Sequence, residues 1–460
     1  MKITIGAKII VEDYTEEILD YAIKNLRYPN PKYYLNERIG LKNWNVPKEI
    51  VMYEKKGNTL LLPYGTLRDI WPLIRDYPRT LDFKPIATRK LLPRTTLRDY
   101  QNKALEGCLK AKGGVLISPC GSGKTLTGMH LISKINQRTL WIVHTSDLMK
   151  QAMNCAKSEF INLKENDIGT ITNGEVNIGE IITFATIQTL AKINLEDYKD
   201  YWNCVVVDEC SHCASTPTAI SMYGRVMNTI CARYKYGLTA TPKRIDGLTP
   251  CMYSLLGQKC YEVYPSEVES IKCKAKLIVV QLPTQESLYY YDTDYKLIQY
   301  KFDERIATNE ARNINICNKI IECKDKGRKY QLVLCNRVVQ CEILARKLKD
   351  YGLRVGLLVG GKSKVNQSII TNYMDYDVVI GTYNIASEGL DMPALDTLHL
   401  ASPKTKNNKA LLVQCIGRVE RGYPTKVDSE VYTYEDIEIA RSRQATKQVQ
   451  LAMGKKGYIF

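Results

Sequence analysis

From about residue 93 onward, short continuous apolar runs alternate with longer stretches of helical character. The first series is VLIS (115–118), LWIVHT (140–145), IITFAT (181–186), CVVVDE (204–209) and YGLTAT (236–241). The second is KLIVVQL (276–282), YQLVLCN (330–336), RVGLLVGG (354–361), DVVIGTYN (377–384) and LDTLHLASP (395–403). Continuous apolar strands separated by helices predict a parallel sheet covered on both faces. Two series predict two α/β domains in tandem. The join falls near YEVYPSEVESIKCK (261–274), which is polar and holds a proline. Residues 1–92 differ. LDYAIKNL (19–26) reads as part of an amphipathic helix, and IVMYEKKGNTLLLPY (50–64) as a hairpin turning at KKGN. The expected organisation is a small α+β accessory domain over 1–92, an α/β domain over 93–265 and a second over 266–460. The last of these ends in a helix, EIARSRQATKQVQLAMG, and a short basic tail.

Composition narrows the class. A chain of 460 residues is too long for one ordinary domain. Lys+Arg minus Asp+Glu is 65 − 49 = +16, a surplus that points to a polyanionic partner, most often nucleic acid. No apolar run reaches the length of a membrane span. The first residues, MKITIGAKIIVEDYTEEILD, lack the layout of a signal peptide, because acids interrupt before an apolar segment is complete. Fifteen scattered cysteines without such a signal suggest reduced thiols and a cytoplasmic setting.

The stretch CVVVDECSHC (204–213) poses a chemical choice. Cys210, His212 and Cys213 suggest a metal site, whereas Asp208 and Glu209 at the end of a buried strand suggest a Mg-nucleotide site. No second C-x-x-C completes a four-ligand zinc set, and the chain holds only four histidines. Elsewhere, the run VLIS leads into SPCGSGKTLTG (118–128), a phosphate loop of Gly121, Ser122, Gly123, Lys124 and Thr125. Its glycines let backbone N–H groups curl toward phosphate oxygens, and the following helix N-terminus adds a positive dipole. Lys124 suits the β and γ phosphates, and the Thr125 hydroxyl suits Mg²⁺. Ser118 stands where such loops usually begin with glycine. A phosphate loop needs a Mg²⁺-organising acid on a neighbouring strand. Asp208 fits, and Glu209 is then placed to take a proton from the attacking water. On this reading Cys210 and Cys213 are small buried fillers, and His212 senses the γ-phosphate or the neighbouring domain.

With these motifs in place, the chain over about 93–435 resembles a superfamily-2 helicase of the DExH kind, with two RecA-like domains. LRDYQ (97–101) resembles the adenine-reading motif, with Arg98 and Gln101 as candidates. SPCGSGKT resembles motif I and DECSH motif II. VHTSDLMKQ (143–151) and TFATIQTL (183–190) resemble the strand-tracking motifs Ia and Ib. GLTATPKR (237–244), VLCNRV (333–338), IGTYNIASEGLDMP (380–393) and QCIGRVERG (414–422) resemble motifs III to VI, in the expected order. The resemblance implies ATP and Mg²⁺ as cofactors. It also implies a role for Gly389 and Asp391 in communicating with strand and nucleotide. Motif VI makes chemical sense by itself. A guanidinium stabilises the charge that develops on the transferred phosphoryl group. Arg421 is the first choice for that finger and Arg418 the second, three apart on one side of a helical turn, with Gln414 a further turn back.

Within the superfamily, GLTATPKRIDGL, RIATNEARNINICNKII (305–321) and the leading text YPNPKYYLNERIG (28–40) resemble the phage and viral helicases of the UvsW type, related to the XPB repair helicases. That resemblance implies forked, branched or single-stranded DNA as the partner. In the accessory domain Lys55 and Lys56 are placed to meet phosphates. Tyr28, Tyr33 and Tyr34, with Lys32 and Arg38, suggest base stacking, although 31 Tyr against 5 Phe makes tyrosine a general aromatic here. Three other readings stay open: a double-stranded DNA translocase without strand separation, a DExH RNA helicase, and a nucleotide-gated binding module.

Overall fold

The computed structural model describes residues 1–454 apart from 215, 242–245, 272, 284–298, 361–362, 388–389, 391 and 405–408. The chain divides into two compact units, Met1–Glu267 and Val268–Phe460.

The first unit holds two principal sheets. The leading one has five strands in the order Glu54–Lys56, Thr59–Pro63, Lys8–Glu12, Lys2–Ile5 and Arg79–Leu81. Its strands alternate, so Ile9, Val11, Leu60 and Leu62 point inward. There they meet Ile18 and Ala22 of helix Glu16–Asn25 and Ile70 and Ile74 of helix Leu67–Ile74. The expected hairpin is present, with Lys55 paired to Leu60 and Gly57 at φ 57° in its turn. Gly65 lies where this layer meets the next. A Cβ there would stand 2.4 to 2.5 Å from the Tyr253 and Ser254 carbonyls and the Gly257 nitrogen, so only glycine fits.

The second sheet has eight strands in the order Glu175–Asn177, Ile168–Thr172, Ile182–Thr186, Thr139–Val143, Cys204–Asp208, Tyr234–Thr239, Gly114–Ile117 and Lys259–Glu262. All neighbours are parallel except the first pair. Every residue of Thr139–Val143, Ile182–Thr186 and Cys204–Asp208 is buried, as continuous apolar runs require. Lys235 is buried beside them without a carboxylate. Its Nζ donates to the Met227 and Ala7 carbonyls at 2.7 and 3.2 Å and lies over the Tyr64 ring, and burial pulls its pKa down to about 7.

The second unit is built on a six-stranded, all-parallel sheet in the order Ala275–Leu282, Ser429–Asp436, Thr397–Leu400, Gln331–Cys335, Val378–Thr382 and Val355–Leu358. Each apolar run of the second series forms a strand of it. Ser429–Asp436, whose text is SEVYTYED, was not among those runs, and helix Ala440–Ala452 follows it.

One buried polar cluster of this unit is satisfied by its own members. His399 lies in the core with Nδ1 2.8 Å from the Tyr434 hydroxyl and Nε2 2.8 Å from Gln331 Oε1. Burial pulls its pKa down to about 3. In an unfolded chain the same ring takes up a proton at an ordinary value of about 6.5. Its contribution to stability is therefore complete above that pH. It falls by about 1.4 kcal/mol for each pH unit below, down toward the folded value. In an NMR titration of the folded protein, the His399 ring should stay neutral through pH 5. A midpoint near the ordinary imidazole value would contradict this account.

Candidate active site

Strand Gly114–Ile117 runs into the loop 118–123, and helix Lys124–Ile135 begins directly after it. Gly121 and Gly123 have φ of 77° and 79°, the left-handed turns that let a loop curl as phosphate binding requires. Ser118, the departure from the usual loop, is accommodated by side-chain bonding. Its Oγ lies 2.6 Å from Ser122 Oγ, which donates to the Pro119 carbonyl at 2.7 Å. Serine thus closes the loop where glycine is usual.

Gln101 is placed against the loop and is almost fully buried. Its Nε2 donates to the Ser122 carbonyl at 2.9 Å, and its Oε1 accepts from the Arg98 N–H at 3.0 Å. Tyr100 donates to the same carbonyl at 2.9 Å, and Arg98 Nη1 reaches the Tyr100 hydroxyl at 3.4 Å. A Cβ at Gly123 would stand 2.6 Å from Gln101 Nε2. Gln101 and Tyr100 therefore hold the loop through the Ser122 carbonyl, and Arg98 braces both of them, with Tyr100 a partner the motif alone did not suggest.

The two acids meet this loop from strand Cys204–Asp208. That strand is one removed from Gly114–Ile117, because Tyr234–Thr239 lies between them in the sheet. The expectation of an immediately neighbouring strand is corrected accordingly. The approach is made beyond the strand ends. Thr125 Oγ1 donates to Asp208 Oδ2 at 3.3 Å, and Lys124 Nζ lies 3.7 Å from Glu209 Oε1. Asp208 Oδ1 accepts from the Glu209 N–H at 3.0 Å. Burial, reinforced by the Glu209 carboxylate, pushes Asp208 up to about 6. Glu209 takes the left-handed φ of 48°, a conformation that costs a non-glycine residue on the order of 1–3 kcal/mol and clusters at functional sites. Its Oε2 is buried without a hydrogen-bond partner.

This donor set fits Mg²⁺. A hydroxyl and a carboxylate oxygen lie side by side, both hard oxygen ligands, and the carboxylate is held above its ordinary pKa until a cation compensates it. Thr125 and Asp208 would hold the ion, which would neutralise phosphate charge. The cysteines stand apart. Cys210 and Cys213 are fully buried in the core, and burial drives both thiols well above their ordinary value, the reverse of what a metal-bound thiolate needs. Among the described residues no three His, Cys, Asp or Glu side chains cluster as a metal site.

His212 stacks on His144 with ring centroids 3.6 Å apart and planes 19° from parallel. Both His144 ring nitrogens are buried without hydrogen-bond partners, and burial, with His212 beside it, pulls His144 down to about 3. His144 belongs to the stretch read as motif Ia, so the stack joins that stretch to motif II. Spacing gave no hint of it, since the two rings are 68 positions apart (212 − 144).

In the second unit Gln414 and Arg418 lie on helix Lys409–Val419. Arg421 does not share a helical face with Arg418. The helix stops at Val419, and the Arg421 N–H turns back to the Arg418 carbonyl at 3.3 Å. Arg418 Nη1 donates to the Leu390 carbonyl, which ties motif VI to motif V. Gly389 and Asp391 lie outside the described residues. In the accessory layer, Tyr28 bonds Ser254 Oγ at 3.2 Å and is mostly buried, so its ring packs rather than presents a stacking face. Tyr34 is exposed, and Tyr33 meets it edge-on. Lys55 and Lys56 are exposed, with Lys56 Nζ 3.4 Å from Glu54.

A phosphate loop with a paired acid strand, on the first of two parallel α/β sheets, defines a tandem RecA-like nucleotide-binding protein. Residues 94–244 match the family model described as type III restriction enzyme, res subunit, and residues 312–422 that of the helicase conserved C-terminal domain. The chain belongs to the superfamily-2 helicases. It is 29% identical over 350 residues to a protein of Acanthamoeba polyphaga mimivirus named as an ATP-dependent RNA helicase, a match covering 71% of this chain and 61% of that one. It is 31% identical over 199 residues to the DNA 3'-5' translocase XPB2 of Sulfurisphaera tokodaii, covering 42% of each. The chain thus spans less than two thirds of these relatives. The fold is similar to that of S. cerevisiae Dbp5 bound to RNA and ADP BeF3, with a TM-score of 0.59, 14% identity and coverage of 80% of this chain and 90% of that one.

Proposed function

We propose that this chain is an ATP-driven motor that unwinds or branch-migrates forked and branched DNA, in phage or viral replication, recombination or repair. The observation that carries the reading is the meeting of Lys124 and Thr125 with Glu209 and Asp208, at 3.7 and 3.3 Å, with one Glu209 oxygen left unpartnered. Lys124 neutralises phosphate charge. Glu209 orients the attacking water and takes its proton. Arg421 supplies the guanidinium for the transferred phosphoryl group, and Arg418 positions the motif V backbone through Leu390. Gln101 holds the loop, Arg98 braces Gln101, and the two flank the adenine. The +16 charge suits either nucleic acid, and DNA is favoured by the likeness to the Sulfurisphaera tokodaii protein named a DNA translocase. The viral relative named an RNA helicase supports RNA as the second reading. Among the described residues no helix is long and apolar enough to cross a membrane.

The test compares ATP hydrolysis and strand release on forked DNA, four-way junctions, blunt duplex and matched RNA. Forks and junctions should stimulate hydrolysis most and release strands. Stimulation by RNA with none by DNA would replace this reading with the second.

A further inference from the structure

A pocket of about 310 Å³ opens between the leading sheet and the parallel sheet of the first unit. That volume is at the lower end of the range for small-ligand sites, roughly 300–1,000 Å³. Gly113 and Gly257 line it at the start of strand Gly114–Ile117, so it sits at the edge of the sheet opposite the phosphate loop, which follows the end of that strand. Nothing in the nucleotide chemistry above uses it.

Its lining is unusual in charge and in aromatic content. Arg68, Arg79, Lys112 and Arg233 line it, and no acidic residue does. The nearby Asp69 carboxylate is already bonded to the Tyr21 hydroxyl at 3.3 Å and to Gln258 Nε2 at 3.0 Å. Trp71 and Phe83 supply ring surface, and Trp71 and Leu81 remain 39% and 54% exposed. The Arg79 guanidinium stands 4.8 Å from the Trp71 ring centroid, which fixes the indole and sets a positive charge beside it. Arg79 donates to the Arg75 carbonyl and Arg68 to that of Ala111, at 2.7 and 2.9 Å. Each guanidinium carries five N–H donors, so donors remain for a ligand.

Cations without acids select an anion, and the exposed part of the Trp71 ring, beside Arg79, suits a planar group. A nucleoside phosphate is both. A duplex keeps its base faces stacked inside, so only an unpaired nucleotide can present one to Trp71. We propose that this pocket is a second nucleic-acid site, which holds one unpaired nucleotide of a strand with its base against Trp71 and its phosphates against Arg68 and Arg79. The proposal rests on the reading of the chain as a nucleic-acid motor. It gives the leading domain a role in gripping an unpaired strand away from the ATP site.

Tryptophan fluorescence reads this contact directly. Trp141 and Trp202 are buried, so replacing the exposed Trp44 by Phe leaves Trp71 as the accessible indole. In Trp44→Phe protein a short oligothymidylate should quench that emission in step with its binding, followed separately by anisotropy of a labelled strand. Saturating Mg-ATP should leave the emission unchanged. Trp71→Ala should weaken oligothymidylate binding about tenfold, the loss of one base–aromatic stack, and Trp71→Phe should restore it. Binding without quenching, or binding unchanged in Trp71→Ala, would overturn the pocket assignment and leave the motor reading intact. Equal quenching by ATP would make this a free-nucleotide site and overturn it too. Failure of oligothymidylate to bind at all would overturn the pocket assignment and count against the DNA form of the motor reading.

Discussion

Glu209→Gln should retain ATP and lower its turnover by roughly two to four orders of magnitude, the scale of losing a general base. The amide keeps the size of the side chain, and glutamine meets the same cost at φ 48° as glutamate. What it loses is the ability to take a proton at the oxygen now buried without a partner. It also removes the negative charge 3.7 Å from Lys124, which leaves that ammonium freer for phosphate. Binding should therefore hold or tighten while hydrolysis collapses. Lys124→Ala should instead weaken nucleotide binding itself. Equilibrium binding of labelled ATP beside steady-state turnover separates the two. Near-normal turnover in Glu209→Gln would reject the assignment of the base.

Arg312→Met should destabilise the second unit by about 3–5 kcal/mol, because it strands a buried carboxylate. Arg312, on helix Glu310–Asp325, and Asp436, at the end of strand Ser429–Asp436, have side chains 1% and 0% exposed, with Nε 3.1 Å from Oδ1. Arg312 Nη1 also donates to the Ala401 carbonyl at 2.6 Å, and Ser442 Oγ bonds Asp436 Oδ2 at 3.1 Å. The pair thus fastens a helix to two strands. Replacing both charges, as Arg312→Met with Asp436→Leu, should cost less than the sum of the single changes, since neither charge is left alone. All four tryptophans precede residue 267, so fluorescence reports only the first unit. Amide exchange over Ser429–Asp436 reports the loss where it occurs. Unchanged protection there in Arg312→Met would show that the pair is not a structural fastening.

Asp436 of that pair also belongs to a strand that no apolar run announces. The strands of both parallel sheets that carry motifs were legible, because burial on both faces leaves a mostly apolar run that isolated polar residues such as Thr183, Lys235 and His399 do not hide. Ser429–Asp436 is buried at all but two positions, Glu430 and Glu435, yet it reads SEVYTYED. Its terminal Asp436 is met by Arg312, far back along the chain, and by Ser442 of the following helix, and no pattern within the strand encodes that. Ile168–Thr172 and Lys259–Glu262 escaped for a simpler reason. They lie toward the sheet margins, where fewer positions need to be apolar. In the site, residue type and spacing were enough to nominate Lys124, Thr125, Asp208 and Glu209, because phosphate and Mg²⁺ chemistry demands those groups. They did not show that Ser118 would close its loop through Ser122, that Gln101 would be bound to that loop, or that His212 would lie flat on His144. Each of these is a contact between segments brought together only by the fold. The basic, aromatic pocket is of the same kind. Its cations come from four separate stretches of the first unit, at Arg68, Arg79, Lys112 and Arg233.

Strand displacement from a labelled fork tests the central claim most directly, that hydrolysis at this site drives motion on DNA. The wild-type chain should release the labelled strand with Mg-ATP and not with a non-hydrolysable analogue, and Glu209→Gln should bind the same fork and release nothing. Release of the strand by Glu209→Gln at the wild-type rate, or ATP turnover by the wild type that no DNA fork changes and no strand release accompanies, would contradict it.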